Sequence, residues 1–378
     1  MIVKNRPGRY LPGKAAVSVE LGKKHAPEIA RGVALPNLKK VSTVIAGVGK
    51  YLPDKVVTSR AIEEWLALEK RFGLMKGIIE KQSGVKERRH VSGKDVSSDM
   101  ALRASQAALE QAGLAADELD LVIFASASHD VAEPATANIL QDKLMARNAH
   151  VFDVKNACNS FLNALDIMDA LIQTGRCRIG LVAAGEVLSK CINWEIDTLE
   201  EFGLNSAALT LGDGGGAMVV MAGEEEEKTK RGVLGSCFTS DGSMWELATV
   251  MGGGTRYPRD VSQMYFVSQS LNIAKAAIRN IPPVIGTALQ RAGWRPEDVD
   301  LVVPHQASRQ IIERISKIAG IPYRKCMITL TKYGNTAASS IPIALAEAVE
   351  SGRVHRGSKV LLVGGASGFS AGVTAVVL

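Results

Sequence analysis

The sequence is poor in cysteine, in aromatic residues and in long apolar runs. Five cysteines among 378 residues are too few for a disulfide framework, so we expect reduced thiols and a protein of the cytoplasm. No apolar run approaches the roughly 20 residues of a membrane-spanning helix, and the first residues lack a signal-peptide pattern. Aromatic residues make up 5% of the chain, too few for the stacking surfaces typical of nucleic-acid binding. The 46% of apolar and 22% of charged residues predict a globular protein of enzyme size.

The positive charge of the chain is concentrated at one end. The formal net charge is +6, but residues 1–40 contain nine Lys and Arg against Glu20 and Glu28. The rest of the chain therefore has a net charge of −1, and we predict a basic N-terminal arm over residues 1–41. One interpretation is a solvated arm or an arm that lies on its own body, and another is a docking segment for an acidic partner. The arm is acid-poor like a transit peptide, but it lacks the Ser-rich amphipathic pattern.

The rest of the chain alternates apolar runs with helical patterns, and part of it is repeated. Residues 108–128 (ALEQAGLAADELDLVIFASAS) align without a gap with residues 288–308 (ALQRAGWRPEDVDLVVPHQAS), and nine of the 21 positions are identical. Chance similarity between helix–strand units is the alternative. Continuous Val, Ile and Leu runs predict strands in a sheet covered on both faces. We therefore predict a duplicated α/β fold with halves at 42–223 and 231–378, joined by a charged loop.

Reactive side chains occur where the two copies differ. Cys158 precedes the pair Gly175-Arg176 in the first copy by the same spacing as Asn335 precedes the pair Gly352-Arg353 in the second. This spacing predicts equivalent positions for the two residues, each at the start of a helix. The positive end of a helix dipole is expected to lower the pKa of a cysteine there, which suits a nucleophile. The alternative is a small buried apolar residue. The spacing of the other cysteines predicts no zinc site.

A histidine marks a second difference between the copies. His305 follows the apolar strand 301–304 at the position where the first copy has Ala125. A single histidine after a strand is usually structural. We expect a catalytic role here, because His305 would share the functional end of the fold with Cys158 and Asn335.

These residues stand in motifs that resemble a known family. The motifs are FDVKNAC at 152–158, LGDGGGAMVV at 211–220, VPHQAS at 303–308 and YGNTAASSIPIALAEAVESGR at 333–353. They are similar to those of the thiolase-fold condensing enzymes of the ketosynthase III type, the 3-oxoacyl-(acyl carrier protein) synthase III group. The resemblance covers about residues 42–378. It implies a duplicated five-layered αβαβα fold, a homodimer, acyl thioesters of coenzyme A or acyl carrier protein as substrates, and no metal or redox cofactor.

The resemblance also implies a role for each residue. Cys158 would hold the acyl group as a thioester, and His305 and Asn335 would donate hydrogen bonds to the thioester oxygen of the second substrate. The backbone N–H groups of Cys158 and Ser367 would form a further oxyanion hole. The remaining predicted substrate-binding residues are Arg88, in a segment similar to the family's T-G-I-R-E-R motif, and Arg309.

Two departures from the family concern the substrate. Ile78 and Gln82 replace a tryptophan and an arginine of the usual coenzyme A site, which favours a long acyl chain or a carrier-bound one over acetyl-coenzyme A. Glu133 replaces an aromatic residue that enters the acyl pocket of the neighbouring subunit. At this place the sequence is similar to the head-to-head acyl-condensing enzymes of bacterial olefin biosynthesis. Glu133 would there be the base for an α-proton, and the alternative is a surface carboxylate before a proline.

The resulting prediction is an acyltransferase that forms a carbon–carbon bond between two acyl chains. Three alternatives stay open at this point. They are a malonyl-dependent, decarboxylating synthase, a relative that transfers the acyl group of Cys158 to an alcohol or amine, and a non-catalytic partner of an active paralogue.

Overall fold

A computed structural model describes residues 41–224 and 231–378 of the chain. The strands of this part are β1 (Val41–Tyr51), β2 (Lys55–Thr58), β3 (Glu87–His90), β4 (Leu121–Ala125), β5 (His150–Val154), β6 (Ile179–Glu186), β7 (Gly214–Glu224), β8 (Gly232–Ser240), β9 (Ala248–Val250), β10 (Phe266–Ser268), β11 (Leu301–Pro304), β12 (Lys359–Ala366) and β13 (Ser370–Val377). Its α-helices are α1 (Ser59–Trp65), α2 (Leu68–Phe72), α3 (Ile78–Ser83), α4 (Ser97–Ala112), α5 (Thr136–Leu144), α6 (Ser160–Gln173), α7 (Leu199–Asn205), α8 (Ser270–Ala292), α9 (Arg309–Ile318), α10 (Leu330–Tyr333) and α11 (Ser340–Glu350). Nearly all of the predicted arm, and most of the charged loop between the halves, lie outside the described residues, so those two boundaries stay predictions.

Two mixed sheets carry the same arrangement of strands. The first sheet has the order β1-β7-β6-β4-β5, and the second has the order β8-β13-β12-β11. The parallel pair β4–β6 aligns Val122 with Leu181, and the parallel pair β11–β12 aligns Val302 with Leu361. The offset from Val122 to Val302 is the same as that from Leu181 to Leu361, and it is also the offset of the sequence repeat. The predicted duplication of an α/β fold is confirmed.

The helices form three layers around the two sheets. Helices α6 and α11 each contact both sheets and fill the middle of the molecule. Helices α4 and α5 cover the outer face of the first sheet, and α8 covers that of the second, with α9 packed beside it. Every residue of β6 is buried, as expected for a strand with a helical layer on each side. The predicted αβαβα order is confirmed.

Glycines let one outer helix lie unusually close to its sheet. A Cβ atom on Gly47 of β1 would collide with the backbone oxygen of Ala108 in α4, and one on Gly185 of β6 would collide with that of Ser97. The apolar runs of these strands therefore need glycine at the helix crossing.

The edges of the two sheets differ. In the first sheet β5 pairs with β4 on one side and forms its outer edge. The matching place in the second sheet has only an isolated bridge between Val302 and Cys326. Among the described residues, the helices are all too short or too polar to span a bilayer.

Candidate active site

The fold brings four of the predicted site residues to one cavity. Cys158 lies between β5 and α6, His305 directly follows β11, and Asn335 follows α10. These three residues and Ser367 line a cavity of about 1360 Å³. Cys158, His305 and Ser367 follow the carboxyl ends of strands in the two halves, where α/β folds place their sites.

Cys158 stands on a strained turn at the start of α6. The preceding residue, Ala157, has a φ of 47°, a left-handed conformation that is uncommon for alanine. Burial, and next the negative charge of Glu186, raise the pKa of the Cys158 thiol to about 12. The predicted lowering of this pKa is therefore wrong. The loss of hydration at the bottom of the cavity, together with a nearby carboxylate, outweighs the helix start.

The side chain of His305 is held by the first residue of helix α11. Its Nδ1 lies 2.8 Å from Oγ of Ser340, and burial lowers the pKa of its imidazole to about 4. The ring is therefore neutral at physiological pH. When the Ser340 hydroxyl donates to Nδ1, the single ring proton is on Nε2, which then is a hydrogen-bond donor.

The amide of Asn335 has a fixed orientation. Its Oδ1 accepts the backbone N–H of Ala337 at 3.0 Å, so that its Nδ2 is the donor end of the amide. The main chain of Asn335 is bonded on both sides to the other half, with its N–H on the oxygen of Thr210 and its oxygen on the N–H of Gly212, each at 2.9 Å. Asn335 thus lies on a segment that is anchored across the interface between the halves.

The predicted equivalence of Cys158 and Asn335 is wrong. Ala337 is also left-handed, with a φ of 41°, and it precedes α11 as Ala157 precedes α6. The offset between these two alanines is that of the sequence repeat, and it pairs Cys158 with Ala338. Helix α6 has 14 residues and α11 has 11, so counting back from the helix ends misplaced the equivalent position by the difference in helix length.

A residue that the sequence analysis missed lies beside this site. Glu186, the last residue of β6, is fully buried. Its Oε1 accepts the N–H groups of Ala127 at 2.8 Å and Ala338 at 3.2 Å. Its Oε2 accepts the N–H of Ser128 at 3.0 Å and the hydroxyl of Ser128 at 2.5 Å. Burial raises the pKa of this carboxyl to about 7 against the effect of these donors. An acidic residue at the end of an otherwise apolar strand was the available signal.

Arg88 does not reach the cavity. Its side chain is fully buried and donates to the backbone oxygens of Val57 and Leu209 and to Oγ of Ser59. Burial lowers the pKa of its guanidinium to about 10. The prediction of a substrate-binding arginine is wrong, because Arg88 joins β3 to the segment before β7.

Arg309 and Glu133 lie outside the lining of the cavity. Arg309 is exposed at the start of α9 and lines a neighbouring groove of about 390 Å³. Glu133 is exposed on the loop between β4 and α5. In its own chain Glu133 does not line the cavity. No cluster of three or more potential metal ligands occurs in 41–224 or 231–378.

The cavity has a deep apolar limb between α8 and α9. Ile281, Ile285, Ile315 and Cys326 line it, and at most 8% of each side chain is exposed. Residues of both helices line the cavity that contains His305, so this apolar part of the cavity belongs to the second half.

Known protein families match the chain over both halves. The family model described as 3-oxoacyl-[acyl-carrier-protein (ACP)] synthase III matches residues 152–242, and the model of its C-terminal part matches residues 289–378. The β-ketoacyl-[acyl-carrier-protein] synthase III of Clostridium perfringens is 35% identical over 338 residues, which are 88% of this chain and 98% of the relative. The corresponding protein of Aquifex aeolicus is 35% identical over 332 residues, with the same coverage.

Solved structures show the same architecture. The 3-oxoacyl-[acyl-carrier-protein] synthase III of Aquifex aeolicus superposes with a TM-score of 0.78 at 33% identity, over 89% of this chain and all of the other. A variant of OleA from Xanthomonas campestris, with a glutamate replaced by alanine, superposes with a TM-score of 0.82 at 28% identity, over 90% of this chain and all of the other.

Proposed function

The chain belongs to the 3-oxoacyl-(acyl carrier protein) synthase III family, which comprises ketosynthase III-type acyltransferases of the thiolase fold, and we propose that it joins two acyl thioesters by a Claisen condensation. The observation that carries this proposal is the single cavity lined by Cys158, His305 and Asn335. A thiol nucleophile and two hydrogen-bond donors in an apolar space suit carbon–carbon bond formation between thioesters.

In the first half-reaction Cys158 takes up the acyl group. Its sulfur attacks the carbonyl carbon of an acyl thioester, the bond to the carrier's sulfur breaks, and the thiol proton of Cys158 leaves with the carrier thiolate. The backbone N–H groups of Cys158 and Ser367 stabilise the tetrahedral oxyanion. The duplication supports this assignment, because the N–H of Ala338, the counterpart of Cys158, binds a carboxylate oxygen of Glu186.

In the second half-reaction a carbanion attacks the acyl group on Cys158. The oxygen of the second thioester binds between Nε2–H of His305 and Nδ2 of Asn335, which stabilise the enolate as the α-carbon loses a proton. The new carbon–carbon bond forms as the bond between the acyl carbon and the sulfur of Cys158 breaks, which gives a β-keto thioester. The α-proton taken up by the base then returns to the Cys158 thiolate. Because the imidazole of His305 is neutral, it acts as a dipolar donor and does not need to lose a charge during the cycle.

We further propose that the acyl chains are long. The cavity exceeds the roughly 300–1,000 Å³ of an ordinary small-molecule site, and its deep limb is apolar. Three exposed cations, Lys275, Arg279 and Arg314, are part of its lining, and they suit an acidic acyl carrier protein or the phosphates of coenzyme A. No cofactor enters either half-reaction. Because all five cysteines are free thiols, we place this activity in the cytoplasm.

The base for the α-proton is proposed to be Glu133 of the opposite subunit in a homodimer. Glu133 is exposed on the loop after β4, the neighbour of β5, and among the described residues β5 has no strand paired with its outer edge. Pairing of two β5 strands would join the first sheets of two copies and bring the loop of Glu133 towards the neighbouring cavity. The structural similarity to OleA, a member of the olefin-forming branch, favours this mechanism.

A second candidate is the malonyl-dependent, decarboxylating synthase. The names of the curated relatives at 34–35% identity favour it. Loss of carbon dioxide would generate the carbanion without a carboxylate base, so that His305 and Asn335 suffice.

The acyl-enzyme is tested by intact mass after incubation with coenzyme A thioesters of increasing chain length. We expect a single adduct whose mass increases with the chain length of the thioester. This adduct should be completely absent in Cys158→Ala. Cys177→Ala is the matched control, because Cys177 is a buried thiol outside the cavity, and it should keep the adduct. An adduct in Cys158→Ala, or one that maps to Cys177 or Cys191, contradicts the mechanism.

The two candidates are separated by Glu133→Gln, which keeps the shape of the side chain and removes its basicity. In the head-to-head mechanism this variant still acylates Cys158, but α-deuterium exchange and product formation fall by about 10²–10⁴-fold. Glu110→Gln, an exposed carboxylate on α4, is the control. Release of carbon dioxide from a malonyl thioester, equal in wild type and Glu133→Gln, would establish the malonyl-dependent candidate instead.

A further inference from the structure

We propose that Glu186 is a positioning residue, which holds the two oxyanion donors of the second half in register with the first half. Residues 335–340 of the second half form the donor segment. It includes Ala338, whose N–H donates a hydrogen bond to Glu186. The same segment fixes Asn335 through the N–H of Ala337 and His305 through Oγ of Ser340. One carboxylate thus holds the segment that orients both donors.

The same carboxylate also holds the first half. Ser128 gives Glu186 two hydrogen bonds and Ala127 gives it one, and both residues lie just after the end of β4. The loop that begins here continues to Glu133. Glu186 therefore joins the segment of the oxyanion donors to the start of the loop that carries the proposed base.

The duplication explains why a carboxylate fits here. Strands β6 and β12 both have eight residues, so Glu186 at the end of β6 corresponds to Ala366 at the end of β12. Ala366 lines the cavity beside Cys158, and its methyl group leaves room for a substrate oxygen at the N–H of Cys158. In the other copy the equivalent N–H, that of Ala338, donates a hydrogen bond to the carboxylate of Glu186. The molecule thus fills one of its two related anion sites with its own side chain.

The charge of Glu186 has a consequence for the nucleophile. Glu186 raises the pKa of Cys158, second only to burial. A thiol kept protonated is protected from oxidation and alkylation, because the thiolate is the reactive form. The same charge favours transfer of the thiol proton to the leaving carrier over early release to solvent.

The test is Glu186→Gln, measured in two ways. The amide removes the charge, so the pH profile of Cys158 alkylation by iodoacetamide should shift by about one pH unit towards lower pH, with about tenfold faster alkylation at a fixed pH. The amide also presents an NH₂ group where the carboxylate accepts hydrogen bonds, so the donor segment should move. Condensation should then fall by about 10²-fold, as for a displacement of about 1 Å. Opposite changes in thiol reactivity and condensation are the expected signature.

Glu186→Asp separates the effect of the negative charge from the effect of side-chain length. It keeps the negative charge, so the alkylation profile should stay close to that of wild type, but its shorter side chain cannot bind Ser128 and Ala338 together. We therefore expect slow condensation with an unreactive thiol. Asp213→Asn is the matched control, because Asp213 is also fully buried and accepts hydrogen bonds from Ser189 and Val91. It should lower the unfolding temperature and leave the Cys158 alkylation profile unchanged.

The two readouts also separate this inference from the proposed function, on which its condensation part rests. The alkylation measurement needs no acyl substrate. A shifted profile without any condensation in wild type would reject the proposed function and keep the effect of Glu186 on Cys158. An unchanged profile in Glu186→Gln, with acylation and condensation slowed equally and a lower unfolding temperature, would make Glu186 a purely structural residue and overturn the inference.

Discussion

The two halves of this molecule share one backbone plan and differ at the ends of their strands. The β4–β6 and β11–β12 pairs have the same register once the halves are aligned on the sequence repeat. Ala157 and Ala337, each in a left-handed conformation, precede the two central helices at matching positions of that alignment. Packing of the shared middle layer constrains these features in both halves, because a change of register would turn the buried faces of a strand outwards.

Three of the differences lie at corresponding positions beside the active site. His305 corresponds to Ala125, Cys158 to Ala338 and Glu186 to Ala366. In each pair one half has a reactive or charged side chain and the other half has alanine. Alanine removes the chemistry without disturbing the backbone, so each half leaves room for the side chains of the other. One asymmetric site can therefore be built from two similar halves by exchanging single side chains at corresponding backbone positions.

The first prediction tests whether the side chains of His305 and Asn335 serve only the second half-reaction. His305→Ala and Asn335→Ala each remove one donor from the enolate oxygen, so condensation should fall by about 10²–10³-fold in each variant. Acylation of Cys158 should change little, because its oxyanion hole is made of backbone N–H groups. Rapid-quench measurements with intact mass separate the two steps. His355→Ala, at an exposed histidine, is the control, and equal losses in both steps would contradict the division of roles.

The fold and the three central residues could be predicted because their signals are local. Gapless repetition predicted the duplication, and the context of Cys158, His305 and Asn335 identified the cavity that they line. The burial of Arg88 could not be predicted, because it depends on the packing of β3 against a segment far away in the chain. The pKa of Cys158 depends on Glu186 and on the depth of the cavity, which a sequence pattern does not contain.

The second prediction compares the two halves through the pH dependence of stability. Burial lowers the pKa of His305 from 6.5 to about 4, so between these values the unfolded state binds one more proton and stability is lost as the pH falls. Burial raises the pKa of Glu186 from 4.5 to about 7, so the folded state binds one more proton and stability is lost as the pH rises. Between pH 4.5 and 6.5 the two contributions oppose each other.

Single variants should reveal each contribution. Relative to wild type, the free energy of unfolding of Glu186→Gln should increase with pH by about 1.4 kcal/mol per unit in this window, because the contribution of His305 is then unopposed. His305→Asn should show the opposite slope of the same size. Urea unfolding at half-unit steps of pH measures both. Slopes of the same sign, or parallel curves for the three proteins, would contradict the assigned pKa directions.

The last prediction, with the smallest expected effect, asks whether the two halves need the basic arm. Strand β1 begins at Val41, so removal of residues 1–40 should shift the unfolding temperature by no more than about 2 °C. Activity with free coenzyme A thioesters should be unchanged.

If the arm docks an acidic carrier protein, activity with carrier-bound substrate should fall and lose its salt dependence. A full-length variant with Lys23, Lys24, Lys39 and Lys40 changed to Gln separates charge from length. An insoluble or unfolded truncation would show that the arm is structural, and equal activity with both substrates in every variant would reject the docking interpretation and leave a solvated arm.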